Sequence, residues 1–325
     1  MIKMKRTVIV ILALSLIFSF AGCKEKEEPE DPSFPVKVYD ETIELAPTKV
    51  VSLSPMLTEL SIMFSVSDKI TGVSGSYKAG EKLSAAVDVG TAVDPDVNKI
   101  IELKPEYLIT QTKLQQSVAL KIIQSNIKII EFPIPTDDAS LKSLYIEFSK
   151  MFFGETEGPK KAETVYSGLN TELTNMKNQI TSSAGLNELK GVYIKTDSGL
   201  CATDDTYDSR LLELLGLKNI TGEANEYAFD IDKIAAANPD VIIVGSDADI
   251  AKIKANSKLK AVNAVVNGKV YKADSLALER LGEDSVDEIL RLACEIYPDV
   301  FAPVSSSAQS TQSEDISSAQ SQSTK

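Results

Sequence analysis

The 325-residue chain is acidic and contains no histidine, and these two properties exclude several classes of function. A formal net charge of −13 is repelled by phosphate backbones and anionic lipid head groups, so we do not expect nucleic acid as a partner. Without histidine the chain cannot form a Ser-His-Asp triad or a histidine-ligated metal site, and we expect neither an enzyme nor a protein with a cofactor or metal of its own.

Residues 1–22 are predicted to be a lipoprotein signal peptide. A basic start precedes an apolar run over residues 8–20, which is too short to span a hydrocarbon core of roughly 30 Å comfortably. The run ends in Phe-Ala-Gly-Cys, which resembles the lipobox of bacterial lipoproteins, where the cysteine is lipidated. We therefore expect Cys23 to anchor an extracytoplasmic protein to the cell membrane. A plain secretory peptide with an incidental cysteine is the alternative, and in either case residues 23–46 are predicted to be a solvated tether.

Beyond the tether, short β-branched runs alternate with helical periodicity, which predicts an α/β fold with two Rossmann-like lobes and mainly parallel sheets. Ser54 and Pro55 provide an N-cap and a first helical position after the first strand of this series. An internal repeat supports two similarly built lobes, because residues 96–109 and 230–243 both contain a capped helix, a proline and a buried strand. The predicted strands are residues 49–53, 107–110, 127–132, 192–195, 241–244 and 270–271.

A long helix is predicted between the lobes. Residues 159–183 carry an apolar stripe at spacings of three and four, and at 1.5 Å per residue they would extend ~37 Å. The segment 141–152 is predicted to pack beside it. The resulting division is an N-terminal lobe (47–153), a bridging helix (154–184), a C-terminal lobe (185–302) and a disordered Ser/Gln-rich tail (303–325).

Seven motifs in chain order resemble the vitamin B12 and ferric-siderophore (heme) class of periplasmic binding proteins. They are KVVSLSPMLTEL with ITGVS (49–60, 70–74), VGT with DPD (89–91, 94–96), IELKP (101–105), residues 212–220, NPDVIIV (238–244), NGKVY (267–271) and the helix end IYP (296–298). The resemblance implies two lobes joined by a rigid helix, with a ligand held in the cleft between them. It also implies delivery of that ligand to an ABC permease with its ATPase, by a protein expected to be a monomer that catalyses nothing.

The resemblance leaves the ligand open among iron-siderophore, heme and corrinoid types. The tryptophan positions of cobalamin binders correspond to Ala92, Gln111 and Ala277 here, which argues against vitamin B12. Tyrosines can supply a flat amphipathic surface instead, and an arginine can bind a carboxylate. The candidate ligand-binding residues are Ser54, Ser76, Tyr77, Thr91, Gln111, Tyr193, Thr203, Tyr207, Tyr227 and Arg280. Each tyrosine could alternatively pack within a lobe, and Arg280 could form a surface pair with Glu283.

The resemblance also implies one docking carboxylate for the permease on each lobe. In the second lobe this position is Asp232, whereas in the first it is Asn98. Helical spacing places Glu102 on the same outer face as Asn98, opposite Val97, Ile100 and Ile101, so Glu102 could supply the missing charge. A surface lipoprotein of the same fold that senses or scaffolds without transport is the alternative function.

The sequence does not determine whether Cys201 and Cys294 form a disulfide. Export would permit one, but the two cysteines fall in different predicted elements and the pairing cannot be derived from spacing.

Overall fold

A computed structural model describes most of the chain between residues 33 and 301. The described segments are residues 33–75, 77, 83, 85–183, 189–195, 200–222, 224, 230–245 and 247–301. Cys23, Ser76, Tyr227 and the Ser/Gln-rich tail therefore lie outside the described residues. Within these segments, no helix has both the length and the apolar character required to cross a bilayer.

The first lobe alternates strands and helices. In chain order its elements are β1 (Val36–Val38), β2 (Glu41–Ile43), β3 (Val50–Ser52), α1 (Pro55–Met63), a 3-10 turn (Ser67–Lys69), β4 (Ile70–Val73), β5 (Val87–Asp88), α2 (Val97–Leu103), β6 (Tyr107–Thr110), α3 (Gln116–Gln124) and β7 (Lys128–Glu131). Strands β3 to β7 form one parallel sheet in the order β5-β4-β3-β6-β7. Apolar layers cover both faces of this sheet, as expected for a parallel sheet.

The second lobe repeats this plan around a smaller sheet. After the long helix α4 (Asp138–Ser183) its elements are β8 (Leu189–Ile194), α5 (Ser209–Leu214), β9 (Leu217–Asn219), α6 (Ile231–Ala237), β10 (Val241–Val244), α7 (Asp247–Ala255), α8 (Asn263–Val266), β11 (Val270–Lys272), α9 (Ser275–Arg280) and α10 (Glu283–Ile296). The four strands are parallel in the order β11-β10-β8-β9. Every strand predicted from the sequence is present, and the predicted fold class is confirmed.

The internal repeat corresponds to two helices with matching caps. The Asp96 carboxylate accepts a hydrogen bond from the Lys99 backbone N–H at the start of α2, and the Asp230 carboxylate accepts one from the Asp232 N–H at the start of α6. Each helix ends on a residue in the left-handed region, Lys104 at φ 49° and Asn238 at φ 51°. A proline, which cannot continue a helix, follows each of these residues, and a buried strand begins two residues after it.

The helix between the lobes is broken once, at Gly154. The φ of 74° and ψ of −174° at this residue turn the chain back, so that residues 138–153 pack antiparallel to the segment after the break. Lys142 bonds to Glu163 at 2.7 Å, and the Tyr145 and Tyr166 rings lie 5.6 Å apart. The predicted packing of the earlier segment beside the bridging helix is therefore confirmed.

The bridging part of α4 reaches from one hydrophobic core to the other. Its predicted apolar stripe faces inward along its whole length, and its members divide between the lobes. Ala162, Val165 and Leu169 pack in the first lobe, whereas Leu173, Met176 and Ile180 pack in the second. One apolar stripe thus fixes the position of each lobe relative to the helix.

The prediction that residues 23–46 form a solvated tether is wrong for residues 36–43. These residues form the antiparallel hairpin of β1 and β2, whose inward side chains Val36, Val38 and Ile43 are buried in the core of the first lobe. The Lys128 ammonium donates a hydrogen bond to the Thr42 carbonyl at 3.0 Å. This stretch therefore belongs to the folded lobe and not to a solvated linker.

The two remaining cysteines are not joined to each other. Cys201 is buried in the second lobe, where burial raises the pKa of its thiol to about 12, and Cys294 is exposed on α10.

A polar cluster joins the lobes on the side of α1. The Tyr77 hydroxyl donates to the Glu59 carboxylate at 2.9 Å, and the Arg280 guanidinium lies 4.9 Å from the centre of the Tyr77 ring while pairing with Asp284. Glu59 is only 5% exposed. Gly282 lies against it so closely that an added Cβ would be 2.6 Å from the Glu59 Cγ. The lobes are thus in direct contact here.

We predict that Gly154→Ala lowers the free energy of unfolding by about 1–3 kcal/mol, because only glycine adopts this φ and ψ readily. An added Cβ would also lie 2.4 Å from the Ser33 carbonyl oxygen. Urea denaturation followed by circular dichroism measures the change. The matched control is Gly168→Ala, at an exposed helical position with open space around the new Cβ. This control should increase stability by about 0.5–1 kcal/mol. Equal effects of the two substitutions would contradict the assignment of the turn.

The buried Glu59 predicts a pH dependence of stability. Burial raises its pKa above the ordinary value of 4.5, with Asp284 and Glu283 adding to the rise while Tyr77 and Arg280 oppose it. A carboxyl whose pKa is raised in the folded state stabilises that state at low pH, and the stabilisation is lost as pH increases through the folded pKa.

Glu59→Gln retains an acceptor for Tyr77 but cannot ionise. We therefore expect the stability of this variant relative to wild type to increase as pH rises above 4.5 and then to level off. Urea denaturation between about pH 4 and about pH 8 tests this, with the exposed Glu131→Gln as control. A difference in the free energy of unfolding between Glu59→Gln and wild type that stays constant over this pH range would contradict the prediction.

Candidate ligand-binding cleft

An opening between the lobes lies at the carboxyl ends of their central strands. In the first lobe the connections after the neighbouring strands β3 and β6 run to opposite edges of the sheet. In the second lobe the connections after β8 and β10 do the same. Parallel α/β sheets bind ligands at the crevice formed between two such strands, and each lobe contributes one of these crevices to the cleft. The cleft has a volume of about 310 Å³, within the usual range for small-molecule sites. It is lined by Leu53, Ser54, Pro55, Met56, Gln111, Thr112, Ile134, Pro135, Lys195, Tyr207, Asp208, Leu278, Glu279 and Leu281.

The wall from the first lobe is uncharged and held in place by hydrogen bonds. The Ser54 hydroxyl donates to the Gln111 side-chain oxygen at 2.5 Å and accepts the Leu57 backbone N–H at 3.2 Å as the N-cap of α1. The Gln111 amide donates to the Pro133 carbonyl at 3.4 Å. Two residues that the sequence placed in the site, Ser54 and Gln111, are therefore brought together at its surface, from strands that are neighbours in the sheet.

The wall from the second lobe is charged. Lys195 follows β8 directly, and its ammonium lies 2.6 Å from the Asp208 carboxylate and 3.6 Å from that of Glu279. The Lys195 and Asp208 side chains are 16% and 15% exposed, whereas Glu279 is 48% exposed. Sequence reasoning missed all three residues, although the position of Lys195 immediately after a buried strand was a usable signal.

Tyr207 also lines the cleft, and its hydroxyl is tied to the start of α4. This hydroxyl lies 3.5 Å from the Asp138 carboxylate, which receives two contacts from the Arg210 guanidinium, at 3.0 and 2.8 Å. Burial and the neighbouring Asp138 raise the pKa of Tyr207 above its ordinary value, so the phenol stays protonated at neutral pH. The ring therefore offers a neutral flat surface with a fixed orientation.

Several residues predicted to bind ligand lie elsewhere. Tyr193 and Thr203 are fully buried in the second lobe, where Tyr193 contacts the Ser275 hydroxyl at 3.2 Å and Thr203 donates to Asp205 at 2.6 Å. Neither side chain reaches the cleft, and for Tyr193 the alternative of packing within a lobe is the correct one. Thr91 is exposed, and its hydroxyl accepts the Asp94 N–H at 3.1 Å.

Tyr77 and Arg280, both predicted to bind ligand, belong to the polar cluster with Glu59. Neither is among the described residues that line the cleft. The charge partner of Arg280 is Asp284, one helical turn further on, and not Glu283 as the surface-pair alternative supposed. The residue on the cleft side is its neighbour Glu279.

A second cavity, of about 60 Å³, lies between α4, α5 and α10. Its wall is mostly aliphatic, with Leu141, Leu169, Leu173 and Leu211 among its lining residues. This volume holds only one or two waters and is far smaller than a metal chelate or corrinoid. Of these two cavities, the larger cleft is the candidate ligand site. Within the described segments, no group of three or more Asp, Glu or Cys side chains is placed to hold a metal ion directly.

The candidate docking residues are exposed. Asn98 and Glu102 both lie on the outer face of α2, while Ile100 is buried and Val97 is partly buried, as the helical spacing predicts. Asp232 on α6 is exposed and lies 2.6 Å from the Lys258 ammonium. A binding partner at Asp232 would therefore have to compete with this surface ion pair, which costs little because such pairs contribute at most about 1 kcal/mol.

Comparison with known proteins agrees with this geometry. The model of the periplasmic binding protein family matches residues 50–277. The uncharacterized ABC transporter substrate-binding lipoprotein YvrC of Bacillus subtilis is 26% identical over 314 residues, covering 91% of this chain and 99% of that protein.

Solved structures share the fold. A possible iron-binding (periplasmic solute-binding) protein from Staphylococcus epidermidis superposes with a TM-score of 0.67 at 18% identity, covering 78% of this chain and 99% of that one. A periplasmic heme binding protein from Pseudomonas aeruginosa superposes with a TM-score of 0.67 at 19% identity, covering 78% of this chain and 93% of that one. The chain belongs to the periplasmic binding protein family.

Proposed function

We propose that this protein is the solute-binding lipoprotein of an ABC importer. It captures an iron-siderophore, heme or corrinoid-type ligand between its lobes and presents it to the permease and its ATPase. The observation that carries the proposal is the cleft itself, formed where the central strands of two parallel sheets end opposite each other. The relative in Bacillus subtilis bears the name of an ABC transporter substrate-binding lipoprotein, and the similar structures include a heme binder and a possible iron binder.

The chemistry of the cleft favours binding over catalysis. The one serine among the described lining residues, Ser54, donates its hydroxyl proton to the amide oxygen of Gln111, which is not a base and cannot activate a nucleophile. The Lys195 ammonium is held between the carboxylates of Asp208 and Glu279, at 2.6 and 3.6 Å. The polar groups of the cleft therefore suit hydrogen bonding and charge recognition of a bound solute.

The connection between the lobes favours a small closing movement. A single helix with side chains in both cores replaces the flexible strands that permit wide hinge motion. The Tyr145 hydroxyl also donates to the Leu281 carbonyl at 2.7 Å, linking α4 to the second lobe. Ligand capture would then depend mainly on a preformed cleft.

Three measurements test the proposal together. Mass spectrometry and visible absorption of the purified protein should identify a bound chelate, heme or corrinoid. Titration calorimetry should measure its affinity, and the loaded protein should stimulate ATP hydrolysis by the cognate permease in proteoliposomes. Tight binding without any stimulation would favour the sensing or scaffolding lipoprotein instead.

The lipid anchor predicts the behaviour of a Cys23→Ala variant. Loss of the acyl chains removes a contribution of ~0.8 kcal/mol per buried methylene, so the variant should be released as soluble protein. Cell fractionation and intact-mass measurement detect the release and the missing acyl mass. Cys294→Ala is the control and should remain in the membrane. Equal membrane retention of Cys23→Ala and wild type would overturn the anchor.

Docking to the permease predicts a loss of function without loss of ligand binding. Asp232→Lys and Glu102→Lys each reverse an exposed charge on a different lobe, so each should abolish the stimulated ATPase activity while ligand affinity stays unchanged. Asn98→Lys should be milder if Glu102 makes the contact. Asp287→Lys, an exposed reversal on α10, is the control. Full stimulation by both Asp232→Lys and Glu102→Lys would refute this docking surface.

A further inference from the structure

The two walls of the cleft differ in charge. Among the described lining residues, those from the first lobe are all neutral, whereas the second lobe contributes one cation, Lys195, and two carboxylates, Asp208 and Glu279. One positive and two negative groups give these lining residues a net charge of −1. The described part of the cleft therefore has no surplus positive charge to offer an anion.

The Asp208 carboxylate is directed toward Lys195 by the local structure. Asp208 occupies the N-cap position of α5, yet its side chain makes no capping hydrogen bond. It instead contacts the Lys195 ammonium at 2.6 Å, where both side chains are about 85% buried. An ion pair this well shielded is screened less by salt than an exposed one. Lys195 is thus neutralised before any ligand arrives, and Glu279 adds a second, more exposed carboxylate at 3.6 Å.

The arginines do not change this balance. The sequence contains three arginines after residue 22, and each has carboxylate partners. Arg210 bonds to Asp138 and Glu213, Arg280 to Asp284, and Arg291 to Glu288 and Glu295. None of the three lines the cleft. An anionic chelate would have to compete with one of these pairs to gain an arginine contact.

We propose that the cleft selects cationic or uncharged chelates over anionic ones, and that Asp208 and Glu279 are the residues that determine this selectivity. The inference rests on the proposed function, since it concerns the ligand of the same cleft. Selectivity of this kind arises from repulsion as much as from attraction, because an anion would add negative charge to described lining residues that already carry a net charge of −1. The whole protein acts in the same direction. Removing residues 1–22, which hold three cations and no acid, changes the net charge from −13 to −16, and a negative surface steers cations inward.

The test uses two pairs of probes, each with a cationic and an anionic member, and the full lipidated chain in detergent. Ferrioxamine B is a cationic ferric chelate, and ferric enterobactin is an anionic one. Diaquocobinamide is a cationic corrinoid, and hemin carries two propionates. For whichever pair binds, titration calorimetry should give a dissociation constant roughly 100-fold lower for the cationic member than for the anionic one. The anionic member meets like charges in a partly desolvated site, which weakens its binding.

Variants then test the two carboxylates. The double variant Asp208→Asn/Glu279→Gln changes the net charge of the lining from −1 to +1 and leaves the shapes of the side chains nearly unchanged. It should lose most of the preference for cations and bind the anionic probe at least about 10-fold more tightly than wild type does. The single variant Glu279→Gln, at a half-exposed position, should shift the preference in the same direction by a smaller factor. It keeps the test valid if the double variant fails to fold. Asp287→Asn removes an exposed charge from the same lobe and should leave the preference unchanged.

The outcomes separate the inference from the function on which it rests. Wild-type protein that binds ferric enterobactin or hemin as tightly as the cationic partner would overturn the charge selectivity and leave chelate capture intact. An unchanged preference in Glu279→Gln and in the folded double variant would overturn the roles of the two carboxylates. Binding of none of the four probes would overturn the proposed function together with the inference.

Discussion

The apolar stripe of the bridging helix is the constraint on which the architecture depends. Ala162 near one end and Ile180 near the other are both almost completely buried, in different cores. Burying such side chains stabilises each lobe by roughly 25 cal/mol per Å² of apolar surface. The helix cannot shift relative to either lobe without exposing part of this stripe. The distance and the angle between the two sheets are therefore consequences of core packing, and the cleft is largely preformed.

The same arrangement explains why the polar groups of the cleft come from strand ends. A parallel strand buried on both faces has no room for a functional side chain until it leaves the sheet. Ser54 follows β3 and Gln111 follows β6, and Lys195 follows β8 in the opposite lobe. Because the bridging helix directs these edges toward each other, residues far apart in sequence meet across one space. Capping of α1 by Ser54 then serves both folding and the site, since one hydroxyl contacts Leu57 and Gln111.

Local patterns predicted the fold well and the charged part of the site poorly. The caps at Asp96 and Asp230 and the helical stripe are periodic or adjacent in sequence, so they could be recognised directly. The ion pairs of Lys195 depend on Asp208 and Glu279, which lie on other elements, and no spacing rule connects them. Arg280 was assigned to the cleft in place of Glu279, because one residue along a helix turns the side chain by about 100° and the helix register was not fixed by sequence. The hairpin at residues 36–43 was missed, although the alternation of Val36 and Val38 with Lys37 is a strand pattern that the sequence shows.

The few arginines link the rigidity of the protein to the charge of its cleft. Arg210 binds the Asp138 carboxylate at the start of α4, and Arg280 lies on the Tyr77 ring of the opposite lobe. Both residues therefore hold the lobes together across their contact. A guanidinium suits this task because it pairs with a carboxylate in two places and stacks on aromatic rings, which lysine does less well. Arginines used in this way cannot also serve as anion receptors. Lys195 is then the one cation among the described lining residues, and two carboxylates already surround it. The contacts that hold the lobes together thus also leave the described lining of the cleft without an arginine.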